Sequence, residues 1–376
     1  MNSLRSFSRV LLGIVFMFSG FVKAVDPLGF AYKFEDYFAA FHLSFLNPVA
    51  MYLGVLVCLA EFVIGVALLF GTRMRFFSWA VTLFMTFFFF LTLILAVDNP
   101  VSDCGCFGDA IKMSNWETFY KNAAMMVFTL IVFFGRNQFR EPYTRAGQTL
   151  ILGLGSIFLI ATSVYSYRHL PLLDFRPWKE GNKITDYLIA TPEESVITLV
   201  YQNTETGEKL EYTSETLPWQ DSVLMARLEF VEQRKEVIRP YQEAPIHDFE
   251  INDHEHNNLT EEILNNPDYQ FLLIVQNVDA ARREAFERAN AIAAMAEKAG
   301  YSFIALCGSA FEKMDNFRYE VGANYYWYNV DETALKTIIR SNPGLVLLKD
   351  GVVLKKWHYN DLPAPDKLKK EFLREE

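Results

Sequence analysis

VAMYLGVLVCLAEFVIGVALLF, residues 49–70, is a 22-residue run with one acidic or basic side chain, Glu61. An α-helix rises 1.5 Å per residue, so about 20 apolar residues cross a hydrocarbon layer of about 30 Å. The run therefore reads as a membrane span. On either side of it, apolar runs recur at about residues 7–25, 76–97, 118–134 and 148–166, and the sequence predicts five spans. The first run is too long for a signal peptide and ends in Lys23-Ala24-Val25-Asp26-Pro27, a poor small-residue cleavage site, so it is expected to stay in the membrane. Lys121 and Asn122 shorten the fourth run, and Lys121 is expected to snorkel outward.

Composition agrees with a chain half embedded in lipid. It is 51% hydrophobic with 34 Phe. Residues 1–170 carry 12 Lys and Arg against 9 Asp and Glu, whereas residues 171–376 carry 23 against 36. The acidic half excludes the basic face that a nucleic-acid partner requires. Arg5, Arg9, Arg73, Arg75, Arg136, Arg140 and Arg145 all fall on one side of the five spans, which is expected to be the cytoplasm. Arg176, Lys179 and Lys183, just past the fifth span, weaken that bias. Five spans then place the carboxy-terminal half, and the loop before the fourth span, in an oxidising compartment outside it.

Within the second span, Glu61 is expensive at its depth, roughly 2.5–3.5 kcal/mol on insertion scales, and marks either a functional site or a glutamate that glues helices by hydrogen bonding. Lys23 is its only obvious cationic partner. Counted from residue 50, however, Glu61 lies about 16 Å down its helix, which argues against direct pairing. In the first outer loop, Phe30, Phe34, Tyr37, Phe38 and Phe41 recur at helical spacing, predicting an amphipathic helix on the outer leaflet.

The loop before the fourth span reads Ser102-Asp103-Cys104-Gly105-Cys106-Phe107-Gly108-Asp109. A Cys-x-Cys disulfide closes a small strained ring, easier to reduce than a scaffold bridge, and Gly105 and Gly108 permit the tight backbone. Three readings stand: thiol–disulfide exchange, a structural bridge or free pair, and metal binding. The last lacks further Cys or His ligands nearby. Asp103 and Asp109 are expected to raise the thiol pKa, with Lys112 the only nearby cation. Cys58 and Cys307 read as packing residues. Cys104 and Cys106 are thus the candidate redox pair, Glu61 and Lys23 the candidate intramembrane polar site. No metal site is assigned, since Asp253-His254-Glu255-His256 lacks a third spaced ligand. No cofactor is evident from the residues.

The run from Gly13 to Pro27, the Glu61 span and the Cys104–Cys106 loop together resemble the MauE/DoxX family of small bacterial membrane proteins over about residues 4–135. The resemblance implies membrane redox or disulfide handling at the outer face of the bacterial inner membrane, carried by Cys104 and Cys106, with a periplasmic protein thiol as partner and, from the DoxX relatives, a quinone as cofactor; the arginine bias puts the amino terminus in the cytoplasm. The fifth span and the large second half depart from the four-span pattern.

Beyond the spans, Tyr167 to Lys179 is a proline-punctuated link expected at the membrane surface, and residues 196–202 and 208–213 flank Asn203-Thr204-Glu205-Thr206-Gly207 as a hairpin. From residue 244, strands and helices alternate: strand 271–275, helix 280–298, strand 303–307, helix 310–320, helix 331–340 and a hairpin about Lys349-Asp350-Gly351. This segment resembles a thioredoxin-like fold over about residues 244–360, with Ala244-Pro245-Ile246-His247-Asp248-Phe249 as its entry segment and Pro343 at its cis-proline position. Where that fold carries its cysteines the chain reads Gln276-Asn277-Val278-Asp279-Ala280-Ala281. The domain is therefore expected to bind rather than to exchange, holding an extended peptide or the Cys104–Cys106 loop in the groove by Pro343 through strand-like hydrogen bonds.

The expected architecture is an α-helical membrane bundle of residues 1–146, a fifth span over 147–168, a linker and small β insert over 169–243, and an α/β thioredoxin-like domain over 244–376. The competing reading is a non-enzymatic membrane-anchored scaffold that docks a periplasmic partner.

Overall fold

The computed structural model describes residues 2–101, 103–246 and 249–372; Ser102 of the cysteine loop and His247 and Asp248 of the entry segment lie outside them. Among the described residues, five helices are long and apolar enough to cross a membrane: α1 (Asn2–Val25), α3 (Ala50–Phe70), α4 (Met74–Asp98), α5 (Asn115–Gly135) and α6 (Arg145–Arg168). Between the first two lies α2 (Pro27–Ala40), started by Asp26, whose carboxylate accepts from Gly29 N at 3.0 Å. Leu83, Phe87 and Phe134 point outward at 62–75% exposure, the surface expected of helices that face lipid.

Helices α1 and α3 form the tightest seam. A Cβ at Gly13 would sit 2.8 Å from Leu69 N and one at Gly20 would sit 2.7 Å from Phe62 N, so only glycine allows the backbones so close. These contacts set Gly20 level with Cys58–Phe62. Lys23 is then about one turn from Glu61, not the three turns suggested by counting from residue 50.

The amphipathic helix forms, but its apolar face packs on protein. Phe30 and Phe38 are buried, and Phe30 joins Cys58, Phe62 and Leu159 in one cluster. The ridge expected to enter the outer leaflet instead covers the outer ends of the bundle, because Gly54 of α3 offers a notch for Phe30.

After the bundle, the chain forms an α/β region with two sheets. The first holds β1 (Glu194–Asn203), β2 (Lys209–Thr213) and β3 (Leu228–Arg239), a short helix α7 (Ser222–Met225) preceding the third strand, in the order β2-β1-β3. The hairpin β1–β2 matches the expected pair; β3, half charged and almost wholly exposed, carries no alternation that would have betrayed it. The second sheet is mixed, in the order β6-β5-β4-β7-β8, from β4 (Tyr269–Val275), β5 (Ser302–Cys307), β6 (Tyr326–Asn329), β7 (Gly344–Lys349) and β8 (Val352–His358). Strands β4, β5 and β6 run parallel and β7 and β8 antiparallel. Phe271, Leu273 and Leu347 face α9 (Ala285–Lys298), α10 (Phe311–Glu320) and α12 (Pro365–Phe372). Leu272, Ile274 and Val346 face α8 (Thr260–Leu264) and α11 (Glu332–Ile338).

The proline-punctuated link ends on Trp178, and the chain that continues it docks on the α/β domain. Trp178 and Ile184 are fully buried in the second core layer, and residues 181–184 hydrogen bond along β8 (Gly181 N to Val353 O and Ile184 N to Gly351 O, both 2.8 Å). This continuation thereby covers a sheet edge that would otherwise be open. Helix α9 starts later than residue 280 because Asn277 caps a single 3-10 turn over Val278–Ala280 first.

Candidate functional site

Cys104 and Cys106 are held by three helices. The tight loop is closed by Gly108 N to Gly105 O at 3.0 Å, with Gly105 at φ +62°, and its base is pinned by Asn115 Nδ2 donating to Asn99 Oδ1 at 2.7 Å and Val101 O at 2.8 Å. The Tyr37 hydroxyl of α2 donates to Cys104 O at 2.7 Å, and the Ser19 hydroxyl of α1 to Cys106 O at 2.8 Å. Lys33 pairs with Asp103 at 2.9 Å. With both carbonyls tied, the free thiols point at each other, sulfurs 3.1 Å apart. Closing to a bond of about 2.05 Å needs about 1 Å of motion.

The two thiols are unequal. The hydrogen bond from Cys104 holds Cys106 down to about 6 despite its burial, and Lys121 and Lys23 add to the effect. That same bond, with burial, pushes Cys104 well up. The sequence reading placed only acids and Lys112 around the pair; the fold instead neutralises Asp103 with Lys33 and brings in two lysines from α1 and α5. Lys121 does not snorkel outward. Its ammonium lies 4.4 Å from the Phe107 ring centroid and lines the cavity beneath Cys106.

That cavity has about 40 Å³ of free space, lined by Ser19, Glu61, Cys106, Lys121 and Asn122 among apolar walls from α4 and α5. It has room for water and little else. Glu61 receives Lys23 Nζ at 2.7 and 2.8 Å, both side chains buried, and accepts from Ser19 at 3.1 Å. Direct pairing, argued against from residue counting, is thus present. On its other side Lys23 lines a much larger chamber, about 730 Å³, enclosed by α2, the cysteine loop, the 171–177 link and α11.

The α/β domain roofs this chamber. Arg340 descends from it to Asp26 Oδ at 2.9–3.0 Å and approaches Asp109 of the cysteine loop at 3.6 Å, and its guanidinium lies 5.3 Å from the Tyr32 ring. Burial works against both charges, but each outweighs it for the other: Arg340 and Arg176 hold the Asp26 carboxyl below its usual range, and Asp26 and Asp109 keep Arg340 above its own. Behind it Asp174 joins Arg176 at 2.8 Å and also pairs with Lys356; burial opposes its charge, yet the two cations hold it far below the usual carboxylate range.

Pro343 follows a cis peptide bond three residues beyond Arg340. Asn342 Nδ2 donates to Asn277 O at 2.7 Å, and Arg282 N donates to Asn342 O at 3.0 Å. Among the described residues, the contact between this loop and the cysteine loop is the Arg340 ion pair, not strand-like hydrogen bonding. The fold therefore gathers Lys23, Glu61, Cys104 and Cys106 and leaves Pro343 in the other domain. Sequence reasoning missed Ser19, Tyr37, Lys121 and Arg340. Helical spacing flagged Tyr37 as apolar ridge, and the charge within the fourth run flagged Lys121, but neither signal gave the residue a role at the cysteines. Cys58 and Cys307 are buried, the Cys307 thiol pushed up by burial to about 11, and His254 and His256 lie against the Phe311 ring.

Residues 1–135 match the family model described as Methylamine utilisation protein MauE, and with the apolar helices this marks a MauE-like membrane region containing the entire cysteine site. No curated protein and no solved structure matches the chain.

Proposed function

We propose that the protein exchanges disulfides with a protein thiol at the outer face of the bacterial inner membrane, through Cys104 and Cys106. The carrying observation is a dithiol 3.1 Å apart whose lower-pKa member, Cys106, lines one cavity with Glu61. In the oxidising direction, a partner thiolate attacks Cys104 of the disulfide and Cys106 leaves, since the less basic thiolate leaves faster. A second partner thiolate then attacks the partner's own sulfur in the mixed disulfide, and the Cys104 thiolate leaves. The partner gains a disulfide, and the pair is left as a dithiol holding two electrons and two protons. Reoxidation passes the electrons to an acceptor of the quinone class. The protons have a route from Cys106 by cavity water to Glu61 and Lys23, which opens on the chamber.

We read the α/β domain as thioredoxin-like, from its mixed five-stranded sheet and the cis Asn342–Pro343 bond beside a cysteine-free 276–281 segment. It selects the partner, and the chamber is where the partner's segment meets the cysteine loop. DoxX-type redox chemistry and a periplasmic location for this domain belong to the same proposal. The test is acid-quenched thiol trapping in intact cells: Cys106→Ser should accumulate a mixed disulfide on Cys104. A pair that stays wholly oxidised without adducts, together with full activity of Cys104→Ser/Cys106→Ser, would overturn the reading.

The Arg340 contact favours a second reading, a scaffold in which the α/β domain docks a partner and the cysteines brace a loop. In that case deleting residues 171–376 abolishes activity and replacing both cysteines does not.

A further inference from the structure

At the end of the bundle opposite the cysteines, the start of α1, the end of α3 and the segment after α5 enclose a pocket of about 400 Å³, within the range of small-ligand sites. Arg5, Arg9 and Arg140 line it, and no carboxylate does. Arg9 Nη1 caps α3 by donating to Leu68 O at 2.7 Å and Leu69 O at 3.2 Å, and Arg5 Nη1 donates to the neutral Gln138. Arg140 makes no hydrogen bond or ion pair with a described residue. Glu141, next in sequence, is turned away onto Met74 N and Gln148 Nε2, both at 3.0 Å. A guanidinium has five N–H donors in a planar fork that matches phosphate oxygens, so most of the donors here are unspent. Such convergence of like charge is unfavourable without a counter-ion. Phe70 and Phe139 complete the lining, and Phe70 is 42% exposed at the level where the apolar helices end.

We propose that this pocket binds a phosphate ester, the headgroup of an anionic phospholipid, with Phe70 beside its acyl chains. The charge and fork geometry select phosphate, and the position at the end of the spans, with an apolar lip, selects the lipid source.

Full-length protein in neutral detergent is titrated with phosphatidylglycerol, phosphatidylcholine or inorganic phosphate, and bound ligand is counted by native mass spectrometry. Phosphatidylglycerol should be retained at least tenfold better than phosphatidylcholine. Arg5→Gln/Arg140→Gln should lose about tenfold of that retention, whereas Arg75→Gln/Arg145→Gln, which removes the same charge elsewhere at this end, should keep it. Arg140→Gln alone removes a partnerless side chain without touching the α3 cap and should lose about threefold. Retention of inorganic phosphate with the same dependence on Arg5 and Arg140, with no gain from lipid, keeps the phosphate site and assigns its source to solution. Equal retention of the two lipids, or equal losses in the two double variants, overturns the proposal.

Discussion

Two loops are tied down by the same kind of hydrogen bonding, one at Cys104–Cys106 in the membrane region and one at Asn277–Arg282 in the α/β domain. In the second, Asn277 caps Asp279 N at 2.9 Å, its carbonyl receives Asn342 at 2.7 Å, and Val278 N donates to Ser309 at 3.2 Å; Asn342 Oδ1 is the polar atom left unmatched. In the first, the backbone is equally well tied, by Tyr37 and Ser19, but the sulfurs point at each other, 3.1 Å apart. The same economy of backbone hydrogen bonding thus gives a frame in one loop and a poised pair in the other. The difference lies in which side chains are left over, not in how tightly the chain is held.

The largest effect should come from removing that remainder. Cys104→Ser/Cys106→Ser should abolish disulfide exchange with a model thiol, while Cys307→Ala leaves the rate unchanged; an unchanged rate in the double variant would make the two loops equivalent. Next, Lys23→Met or Glu61→Gln alone strands one buried member of a charge pair and should lower stability in detergent by about 3–5 kcal/mol, with Lys23→Met/Glu61→Gln recovering most of it. Thermal melting of the three variants reads this, and a double variant no better than the singles would show that the charges do not act as a pair.

The pH profile sharpens the contrast in a third way. Because the Cys106 thiol is held at about 6, its alkylation should rise through that pH and level off near neutrality, whereas an ordinary thiol keeps rising through about 8.5. Cys104→Ala removes the lowering hydrogen bond and should move the midpoint upward, and Lys121→Met should move it the same way by less. Arg340→Ala frees the roof from Asp26 and Asp109, a loss of about 1.5–3 kcal/mol for charged hydrogen bonds, and should raise hydrogen exchange over residues 103–110. The smallest effect belongs to the frame: Asn277→Ala should cost the α/β domain about 1 kcal/mol and leave exchange untouched.

Much of this was legible in the residues. Length and apolarity alone located the five spans, because lipid leaves a helix no alternative partners for its backbone. Short continuous apolar runs marked β4, β5 and β7, the Asp350-Gly351 turn marked the β7–β8 hairpin, and Gly300 marked the end of α9. The cysteines were conspicuous by spacing. Hidden from the sequence was everything that depends on which helices touch: the level of Lys23 against Glu61, fixed by Gly13 and Gly20, and the inward turn of Lys121. Trp178 was hidden for another reason, since one anchor in a proline-rich link has no periodicity to read. The β3 strand, charged on both faces, gave no hydrophobic alternation at all.

The glycine seam between α1 and α3 has a mechanical consequence. Backbones in contact at Gly13, Gly20 and Gly65 cannot slide along each other without clashing, so these two helices respond to a thinner or thicker bilayer as one rod. Changes in lipid thickness are then taken up as tilt of the more outward-facing α4, α5 and α6, and the ammonium–carboxylate distance beneath the thiols is insulated from the elastic state of the surrounding lipid.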